Sequence, residues 1–338
     1  MPNKRALITG ITGMVGSHLA EFLLAETEWD ICGMCRWRSP LDNVVDLLDR
    51  ANRRDRVSFL YGDLRDYVSL QNVVEQSMPD FVFHLAAQSY PTTSFTSPLD
   101  TLDTNILGTE RLLEALRRCK DIDPVIHVCA SSEIYGRVPK AMLPINEDCN
   151  FHPASPYAIS KVGTDLLGRF HAEAYGQRVV TTRMFTHTGP RRGDVFAESS
   201  FAKQIAMIEA GRIPPVMKVG NLDSLRTWSD VRDAVRAYYL LVTVDPRAGE
   251  AYNIGGAYSC TVRQMLDHLL SLSLRRDIRI EVDPERLRPI DADLQVPDTG
   301  KFHRHTGWEP RISFEQTMKD LLEYWRERIA GGATMLAR

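Results

Sequence analysis

The sequence predicts an α/β fold built on a doubly wound parallel sheet. The first half of the chain alternates short apolar runs with segments whose apolar residues recur at helical spacing, which is the rhythm of βαβ units. A glycine-rich loop separates the first apolar run from the first helical segment. After about Gly189 the alternation gives way to helices, short strands and proline-marked loops, which indicates a smaller mixed α/β domain.

Six apolar runs in the first half are typical of buried parallel strands. They span 5–9, 30–35, 57–61, 81–86, 125–130 and 179–185, and a further run at 251–255 is able to rejoin the same sheet. Helical spacing predicts helices over 17–25, 70–76, 105–118, 157–175, 200–210, 231–242, 262–271 and 314–329. We therefore expect a sheet domain over 1–188 that also includes 229–257, a second domain over 189–228 and 258–330, and a frayed tail over 331–338.

Composition narrows the class of partner. The 338 residues are 43% apolar and 25% charged, and 41 basic against 44 acidic residues leave a net charge of −3 without any basic run. Nucleic acid and membrane surfaces are therefore not expected as partners, whereas a small molecule is. Glycines interrupt the first apolar run before it is long enough for a signal or membrane segment, so we expect a cytoplasmic protein.

The six cysteines are scattered and form neither a disulfide framework nor a zinc-binding spacing. Cys32 and Cys35 match C-x-x-C, but they lie in a predicted strand, where residues three apart point to opposite faces. We expect reduced thiols and no metal.

Glycines at G-x-x-G-x-x-G spacing follow the first predicted strand and open the first helix: Gly10, Gly13 and Gly16. Such a loop lets the backbone approach a pyrophosphate, which the helix N-terminus then stabilises. Asp30 begins the second strand, and Arg36 and Arg38 follow its end. Arginine at that position suits a ribose 2′-phosphate, so the sequence favours NADP as cofactor, with NAD as the alternative.

Two further groups have the residue types of proton-transfer chemistry. Tyr157 and Lys161 are four residues apart after Pro156, so both would lie on one face of a helix. A nearby ammonium group and an oxidised nicotinamide would both favour the phenolate and so lower the pKa of Tyr157 towards the working pH. Ser131 and Glu133 follow the fifth strand, at the carboxyl edge where parallel sheets bind their ligands.

These motifs together resemble the extended short-chain dehydrogenase/reductase superfamily over nearly the whole chain. Within it, the sequence is most similar to the GDP-mannose 4,6-dehydratase group, which includes GDP-4-keto-6-deoxymannose reductases. The segments that carry this resemblance are 9–13, 61–64, 84–89, 131–133, 157–161, 189–193, 220–226 and 283–289. The resemblance implies a Rossmann-type cofactor domain, a nucleotide-sugar domain in the second half, and a homodimer or homotetramer.

The resemblance also implies roles for individual residues. The catalytic set would be Ser131, Glu133, Tyr157 and Lys161. The cofactor would be held by Gly10, Thr12, Gly13, Met14, Val15, Gly16, Arg36, Arg38, Asp63, Leu64, Leu85, Ala86, Ala87, Tyr157, Lys161 and His187. A GDP-sugar substrate would be bound by Gln88, Ser89, Thr186, Arg192, Lys203, Arg226 and Arg288.

In the family mechanism, Tyr157 would remove the C4 hydroxyl proton while NADP accepts hydride from C4. Glu133 would then remove the C5 proton and protonate the departing C6 hydroxyl, and hydride would return to C6. The sequence departs from the usual dehydratase pattern in three places. Met14 and Val15 replace a Gln-Asp pair, Ser131 replaces a threonine but keeps the hydroxyl, and Thr186 replaces an asparagine. Because the change at Thr186 removes an amide that could bind substrate, the substrate is left open between GDP-mannose and GDP-D-glycero-D-manno-heptose.

Alternative functions remain at this point. A 4-keto-reductase of the same group would carry the same serine, glutamate, tyrosine and lysine, and would consume NADPH. An epimerase would differ only in its stereochemical outcome. A non-catalytic protein on the same fold would not need Ser131, Glu133, Tyr157 and Lys161 together.

Overall fold

The computed structural model describes residues 3–290 and 292–332. Its main sheet contains seven parallel strands in the order β3-β2-β1-β4-β5-β6-β10. They are β1 (Arg5–Thr9), β2 (Asp30–Cys35), β3 (Val57–Tyr61), β4 (Phe81–His84), β5 (Val125–Cys129), β6 (Arg178–Met184) and β10 (Ala251–Ile254). The order reverses direction between β1 and β4, as in doubly wound sheets. The α/β doubly wound fold is therefore confirmed, and 251–254 does rejoin the sheet.

Helices cover both faces of this sheet because its strands are apolar on both sides. Neighbouring residues of β1 show the alternation, since Ala6 and Ile8 belong to one apolar core and Leu7 to the other. Residues of α1 and α9 fill the first core, and residues of α3 and α6 fill the second. The helices that follow the strands are α1 (Met14–Glu26), α2 (Val45–Asn52), α3 (Tyr67–Ser77), α4 (Pro91–Thr96), α5 (Pro98–Leu102), α6 (Gly108–Arg118), α7 (Pro156–Tyr175), α8 (Ala197–Glu209) and α9 (Val231–Thr243).

The rest of the second half forms two small sheets around a third apolar core. One sheet pairs β8 (Val216–Val219) with β12 (Arg279–Val282), and the other joins β7 (His187–Thr188), β9 (Leu225–Asp230), β11 (Tyr258–Thr261) and β13 (Leu294–Gln295). Residues of α8 pack there against α10 (Val262–Ser271) and α12 (Phe314–Ala330). Met265, Leu321 and Trp325 lie in that core. The remaining helix, α11 (Gly300–Thr306), packs instead on the main sheet, where Phe302 lies in the first core.

Several predicted boundaries differ from the structure by up to three residues, and two of the differences bear on the site. The strand predicted at 81–86 ends at His84, because the next two N–H groups, of Leu85 and Ala86, each donate to Thr9 Oγ1 at 3.1 Å. The helix predicted from 105 begins at Gly108 and follows a π-helical turn over Asp103–Leu107. Of the predicted frayed tail, residues 331–332 form a turn and 333–338 lie outside the described residues.

The cysteines are free, as expected. Cys32 lies in one core of the main sheet and Cys35 in the other, so their thiols are on opposite faces. Among the helices that the structure describes, none combines the length and apolarity needed to span a bilayer.

Asp230 joins three elements at the end of β9. Its carboxylate accepts the N–H of Arg232 as the N-cap of α9, at 2.8 Å, and the hydroxyl of Thr317 on α12, also at 2.8 Å. The Asp230 side chain is fully buried. The carboxylate therefore couples the second half of the chain to α9, which packs on the main sheet.

We predict that Asp230→Ala lowers the free energy of unfolding by about 2–4 kcal/mol, because a cap is lost and buried donors are left unpaired. The matched control is Asp267→Ala, which removes a half-exposed partner of Arg263 within α10 and should cost under about 0.5 kcal/mol. Urea unfolding measures both variants. Equal losses would show that the Asp230 contacts do not hold these elements together.

Candidate active site

The glycine loop between β1 and α1 has the geometry of a phosphate cradle. Gly10 adopts a φ of +72°, and a Cβ there would lie 2.9 Å from the Cα of Ala86. A Cβ on Gly16 would lie 2.4 Å from the carbonyl oxygen of Gly10. Glycine is therefore required at both positions, since any side chain would meet backbone.

The start of α1 is suited to an anion. Gly13 is the N-cap residue and has no side chain to cap the first turn, which begins at Met14 and Val15. The backbone N–H groups of this first turn and the positive end of the helix dipole are therefore available for a phosphate. Asn43 fixes the loop from the other side by donating to the carbonyl of Thr12 at 3.0 Å.

The loops beyond β2, β3 and β4 border the same cradle. Arg36 and Arg38 are exposed after β2, and neither guanidinium forms an ion pair with any residue that the structure describes. Asp63 and Leu64 follow β3, where Leu64 is buried and Asp63 is half-buried. Ala87 follows Leu85 and Ala86 after β4, and these three residues are half-buried.

Helix α7 positions Tyr157 and Lys161 as expected from their spacing. Ser155 caps the helix by accepting the N–H of Ala158 at 3.0 Å, and Pro156 occupies its first turn. Lys161 Nζ donates to the carbonyl of Cys129 at the end of β5, at 2.7 Å. The lysine is thus fixed at the carboxyl edge of the sheet.

Tyr157 is buried, and its phenol shares a hydrogen bond with the hydroxyl of Ser131. In the protein alone, burial raises the pKa of Tyr157 well above its ordinary value, although the Ser131 hydrogen bond and the charge of Arg192 act in the opposite direction. Burial likewise lowers the pKa of Lys161. Desolvation is thus the largest influence on the pKa of both groups. A lowered pKa of Tyr157 beside an oxidised nicotinamide stays a prediction.

Glu133 lies on a short 3₁₀ turn, Ser132–Ile134, directly after β5. The hydroxyl of Ser131 accepts the N–H of Glu133 at 3.2 Å and so caps this turn. One carboxylate oxygen of Glu133 is 3.3 Å from Nη1 of Arg226 on β9, and both side chains are largely buried. Negative charge on Glu133 raises the pKa of Tyr157, so the two groups interact electrostatically.

Two of the cations predicted to bind substrate, Arg192 and Lys203, are held by carboxylates of their own region. Arg192 stacks on the ring of Phe196 at 3.4 Å and pairs with Glu198 at 3.0 Å. Burial, and to a smaller extent the charge of Arg192, lower the pKa of His187 to about 4. Lys203 pairs with Asp194 at 2.8 Å and lines a cavity of about 130 Å³ between α8 and β8.

The other predicted substrate contacts are less directly placed. The side-chain amide of Gln88 donates to Thr101 and accepts from the N–H of Tyr90, so it stabilises its own loop. Ser89 is exposed, whereas Thr186 and Arg288 are half-buried. The structure brings Ser131, Tyr157, Lys161, Glu133 and Arg226 together by direct contact or shared partners, and it leaves Ser89 at the surface.

The sequence analysis missed Asn105, in the π-helical turn. Its side chain donates to Gln88 O at 2.9 Å and to Ser160 Oγ at 2.8 Å, and accepts the N–H of Gln88 at 2.8 Å. It thus joins the loop after β4 to helix α7. The only available signal was an asparagine in an apolar helical pattern, which is weak evidence.

His84 is part of the support of the site. Its Nε2 is 3.0 Å from the hydroxyl of Thr109, which itself donates to Asn105 O, and its Nδ1 is 2.9 Å from the hydroxyl of Thr9. These partners require a neutral ring that donates from Nε2 and accepts at Nδ1. Burial, and then the charge of Lys161, lower the pKa of His84 to about 3.

No group of three or more His, Cys, Asp or Glu side chains within 3–290 and 292–332 is arranged to hold a metal ion. The geometry therefore centres on a phosphate cradle, a tyrosine–lysine–serine group and a separate carboxylate.

Comparison with known proteins identifies the family. The model of the GDP-mannose 4,6-dehydratase family matches residues 7–321. The chain belongs to this family. It is 32% identical to GDP-6-deoxy-D-mannose reductase of Pseudomonas aeruginosa, over 96% of this chain and 98% of the relative. It is 34% identical to GDP-mannose 4,6 dehydratase 1 of Arabidopsis thaliana, over 95% of this chain and 90% of the relative.

Solved structures of similar proteins have the same fold. The structure of RMD from Pseudomonas aeruginosa with NADPH matches with a TM-score of 0.81 and 30% identity, over 96% of this chain and 100% of the other. UDP-glucose 4-epimerase of Thermus thermophilus, solved with NAD, matches with a TM-score of 0.81 and 26% identity, over 95% and 99%. These two structural neighbours thus bind NADPH and NAD, respectively.

We predict that acid destabilises the fold through its buried histidines. His84 and His127 have pKa values of about 3 when folded, against 6.5 ordinarily, so the unfolded chain binds protons at higher pH than the folded one. The free energy of unfolding should therefore be highest above about pH 6.5 and should fall as the pH is lowered towards 3. Urea midpoints at pH 7 and 5 measure the loss.

His84→Gln should reduce this loss by at least about 1 kcal/mol, because one of the sites that bind a proton only on unfolding is removed. His152→Gln, at an exposed histidine, is the control and should leave the pH dependence unchanged. A variant at His84 with the wild-type pH dependence would contradict the assignment of a neutral buried ring.

Proposed function

We propose that this protein is a GDP-sugar 4,6-dehydratase that converts GDP-mannose or GDP-D-glycero-D-manno-heptose to the 4-keto-6-deoxy derivative. The observation that carries the proposal is the presence of two distinct proton-transfer groups at one sheet edge. Tyr157 shares a hydrogen bond with Ser131, and the carboxylate of Glu133 is held separately by Arg226. A dehydratase needs both groups, since it moves a proton at O4 and another at C5.

NADP is the cofactor that the residues fit best, with NAD as the alternative. The cradle at Gly10 and Gly16 admits no side chain, and the first turn of α1 can hold a pyrophosphate. Arg36 and Arg38 suit a 2′-phosphate at the end of β2. When bound, the cofactor would accept hydride from C4 of the sugar and return it to C6.

The protein's own groups would manage the protons. Tyr157 would take the proton of the C4 hydroxyl, while Ser131 donates a hydrogen bond to the same oxygen and Lys161 supplies positive charge. Because burial raises the pKa of Tyr157, the chain alone keeps the phenol protonated, and it needs additional positive charge beside the phenol to act as a base. Glu133 would then take the C5 proton and give it to the departing C6 hydroxyl, which leaves as water. When hydride is returned to C6, a proton from solvent would replace the one lost at C5, and Tyr157 would release the proton taken from O4, so that the sugar loses one water overall.

Arginine and lysine residues of the second half would bind the nucleotide diphosphate. We assign this role to Arg226, Arg192, Lys203 and Arg288. A phosphate would compete with Glu133 for Arg226, since the two now form a single contact at 3.3 Å. We propose that 1–188 with 229–257 bind the cofactor and that 189–228 with 258–330 bind the nucleotide sugar. His187 and Thr186 lie between these parts.

A second copy of the chain is the proposed oligomeric partner. Ile159, Leu166 and Phe170 are between 46% and 49% exposed on α7, the helix that carries Tyr157 and Lys161. At spacings of seven and four residues they form one apolar stripe, which a homodimer would cover. A homotetramer would need a second interface.

We propose a cytoplasmic enzyme.

The specific rival is a GDP-4-keto-6-deoxy-sugar reductase that consumes NAD(P)H. The similarity to GDP-6-deoxy-D-mannose reductase of Pseudomonas aeruginosa over nearly the full length favours it. A reductase would use Tyr157 as the acid that protonates O4, and it would carry the same Glu133, so the residues alone do not separate the two reactions. An epimerase of the same family is a further alternative.

Product analysis separates these functions. We predict that the purified protein, incubated with GDP-mannose or with the GDP-heptose and no added cofactor, gives a product lighter by one water. Mass spectrometry measures it, and Tyr157→Phe is the inactive control. If both sugars remain unchanged and NADPH is consumed when a 4-keto-6-deoxy sugar is supplied, the protein is the reductase.

A further inference from the structure

Tyr135, two residues after Glu133, is the centre of a buried polar network that has no part in the proton transfers described above. Its side chain is fully buried. The phenol donates to Asn253 Oδ1 on β10 at 2.7 Å and accepts from Arg183 Nη1 on β6 at 3.1 Å. Burial raises the pKa of Tyr135 to about 12, so the phenol remains a donor.

Arg183 connects this phenol to the helix of Tyr157 and Lys161. Its guanidinium forms two hydrogen bonds with the carboxylate of Asp165, at 2.8 and 3.0 Å, and both side chains are about 2% exposed or less. Asp165 lies one turn after Lys161 on α7. A bidentate pair of this kind fixes both the distance and the orientation of its partners.

The loop of Glu133 has little freedom beyond this network. Gly136, which follows Tyr135, has a φ of +54°, and a Cβ there would lie 1.6 Å from the carbonyl oxygen of His152. The N–H of His152 donates to Ile134 O at 3.1 Å. The 3₁₀ turn that carries Glu133 is thus held by Ser131 on one side and by Tyr135 and Gly136 on the other.

We propose that Tyr135 is a positioning residue which, through Arg183 and Asp165, sets the carboxylate of Glu133 relative to Tyr157. The partners of the Tyr135 hydroxyl are Asn253 and Arg183, whereas Lys161 and Tyr157 are held by Cys129 O and Ser131. Loss of the Tyr135 hydroxyl should therefore affect the proton transfer at C5 and leave oxidation at C4 intact. This prediction rests on the proposed dehydratase function.

The test compares Tyr135→Phe with Tyr252→Phe. Tyr252 is also fully buried, on the same strand as Asn253, but its hydroxyl has no hydrogen-bond partner in the described part of the chain. Both variants lose one buried oxygen and keep the ring. With GDP-mannose or the GDP-heptose in D₂O, deuterium incorporation at C5 reports the Glu133 step, and absorbance of reduced nicotinamide reports oxidation at C4.

We expect Tyr135→Phe to slow C5 exchange by roughly tenfold or more, because small displacements of a catalytic group are costly. Reduced nicotinamide should form at the wild-type rate and accumulate, and Tyr252→Phe should behave as wild type in both measurements. Equal slowing of both steps, or of neither, would overturn the proposal.

Crystal structures of the two variants test the positioning whatever the reaction proves to be. The proposal requires the Glu133 carboxylate to shift by about 0.5 Å or more relative to Tyr157 in Tyr135→Phe alone. An unmoved carboxylate refutes the positioning role. A moved carboxylate in a protein whose wild type dehydrates neither sugar would leave the positioning role standing and refute only the dehydratase function.

Discussion

The parallel pairing of β1, β4, β5 and β6 is the constraint on which the site depends. Because all four strands run in one direction, their carboxyl ends meet at one edge, and the loops that follow them are neighbours. The glycine loop, the residues after His84 and the turn of Glu133 each begin within a few residues of such an end. Helix α7 then returns Tyr157 and Lys161 to the same edge, where Lys161 donates to the last carbonyl of β5.

Burial and neighbouring charges affect the ionisable groups at this edge differently. Tyr157 and Lys161 are both desolvated, so the pKa of the phenol rises and that of the ammonium falls. Both shifts favour neutral forms in the protein alone. The carboxylate of Glu133, in contrast, lies 3.3 Å from the guanidinium of Arg226. Tyr157 therefore keeps its proton until positive charge is added beside it, whereas Glu133 is already paired with Arg226.

The parts of the molecule that local sequence determines were predictable. Periodicity placed the strands of the main sheet to within two residues, and spacing placed the glycine loop and the face shared by Tyr157 and Lys161. What could not be predicted depends on contacts between distant segments. Thr9 shortens β4 because its hydroxyl accepts the N–H groups of Leu85 and Ala86. Asn105 and the Asp165–Arg183 pair acquire their roles only when the fold buries them.

Electrostatic effects were the least predictable part of the site. The i,i+4 spacing correctly placed Lys161 and Tyr157 on one helix, but it could not predict that burial raises the pKa of Tyr157 in the protein alone, because spacing contains no information about desolvation. The contact between Glu133 and Arg226 joins β5 to β9, nearly a hundred residues apart in sequence. No local pattern reports such a contact.

In the proposed mechanism, Tyr157 and Glu133 act in different steps. The most direct test measures oxidation at C4 and deuterium exchange at C5 separately in Glu133→Gln and Tyr157→Phe, with the sugar that the wild type dehydrates. Our account predicts that Glu133→Gln still forms reduced nicotinamide but loses deuterium exchange at C5, and that Tyr157→Phe loses both. Wild-type C5 exchange in Glu133→Gln, or a loss of C4 oxidation as severe as that in Tyr157→Phe, would contradict it.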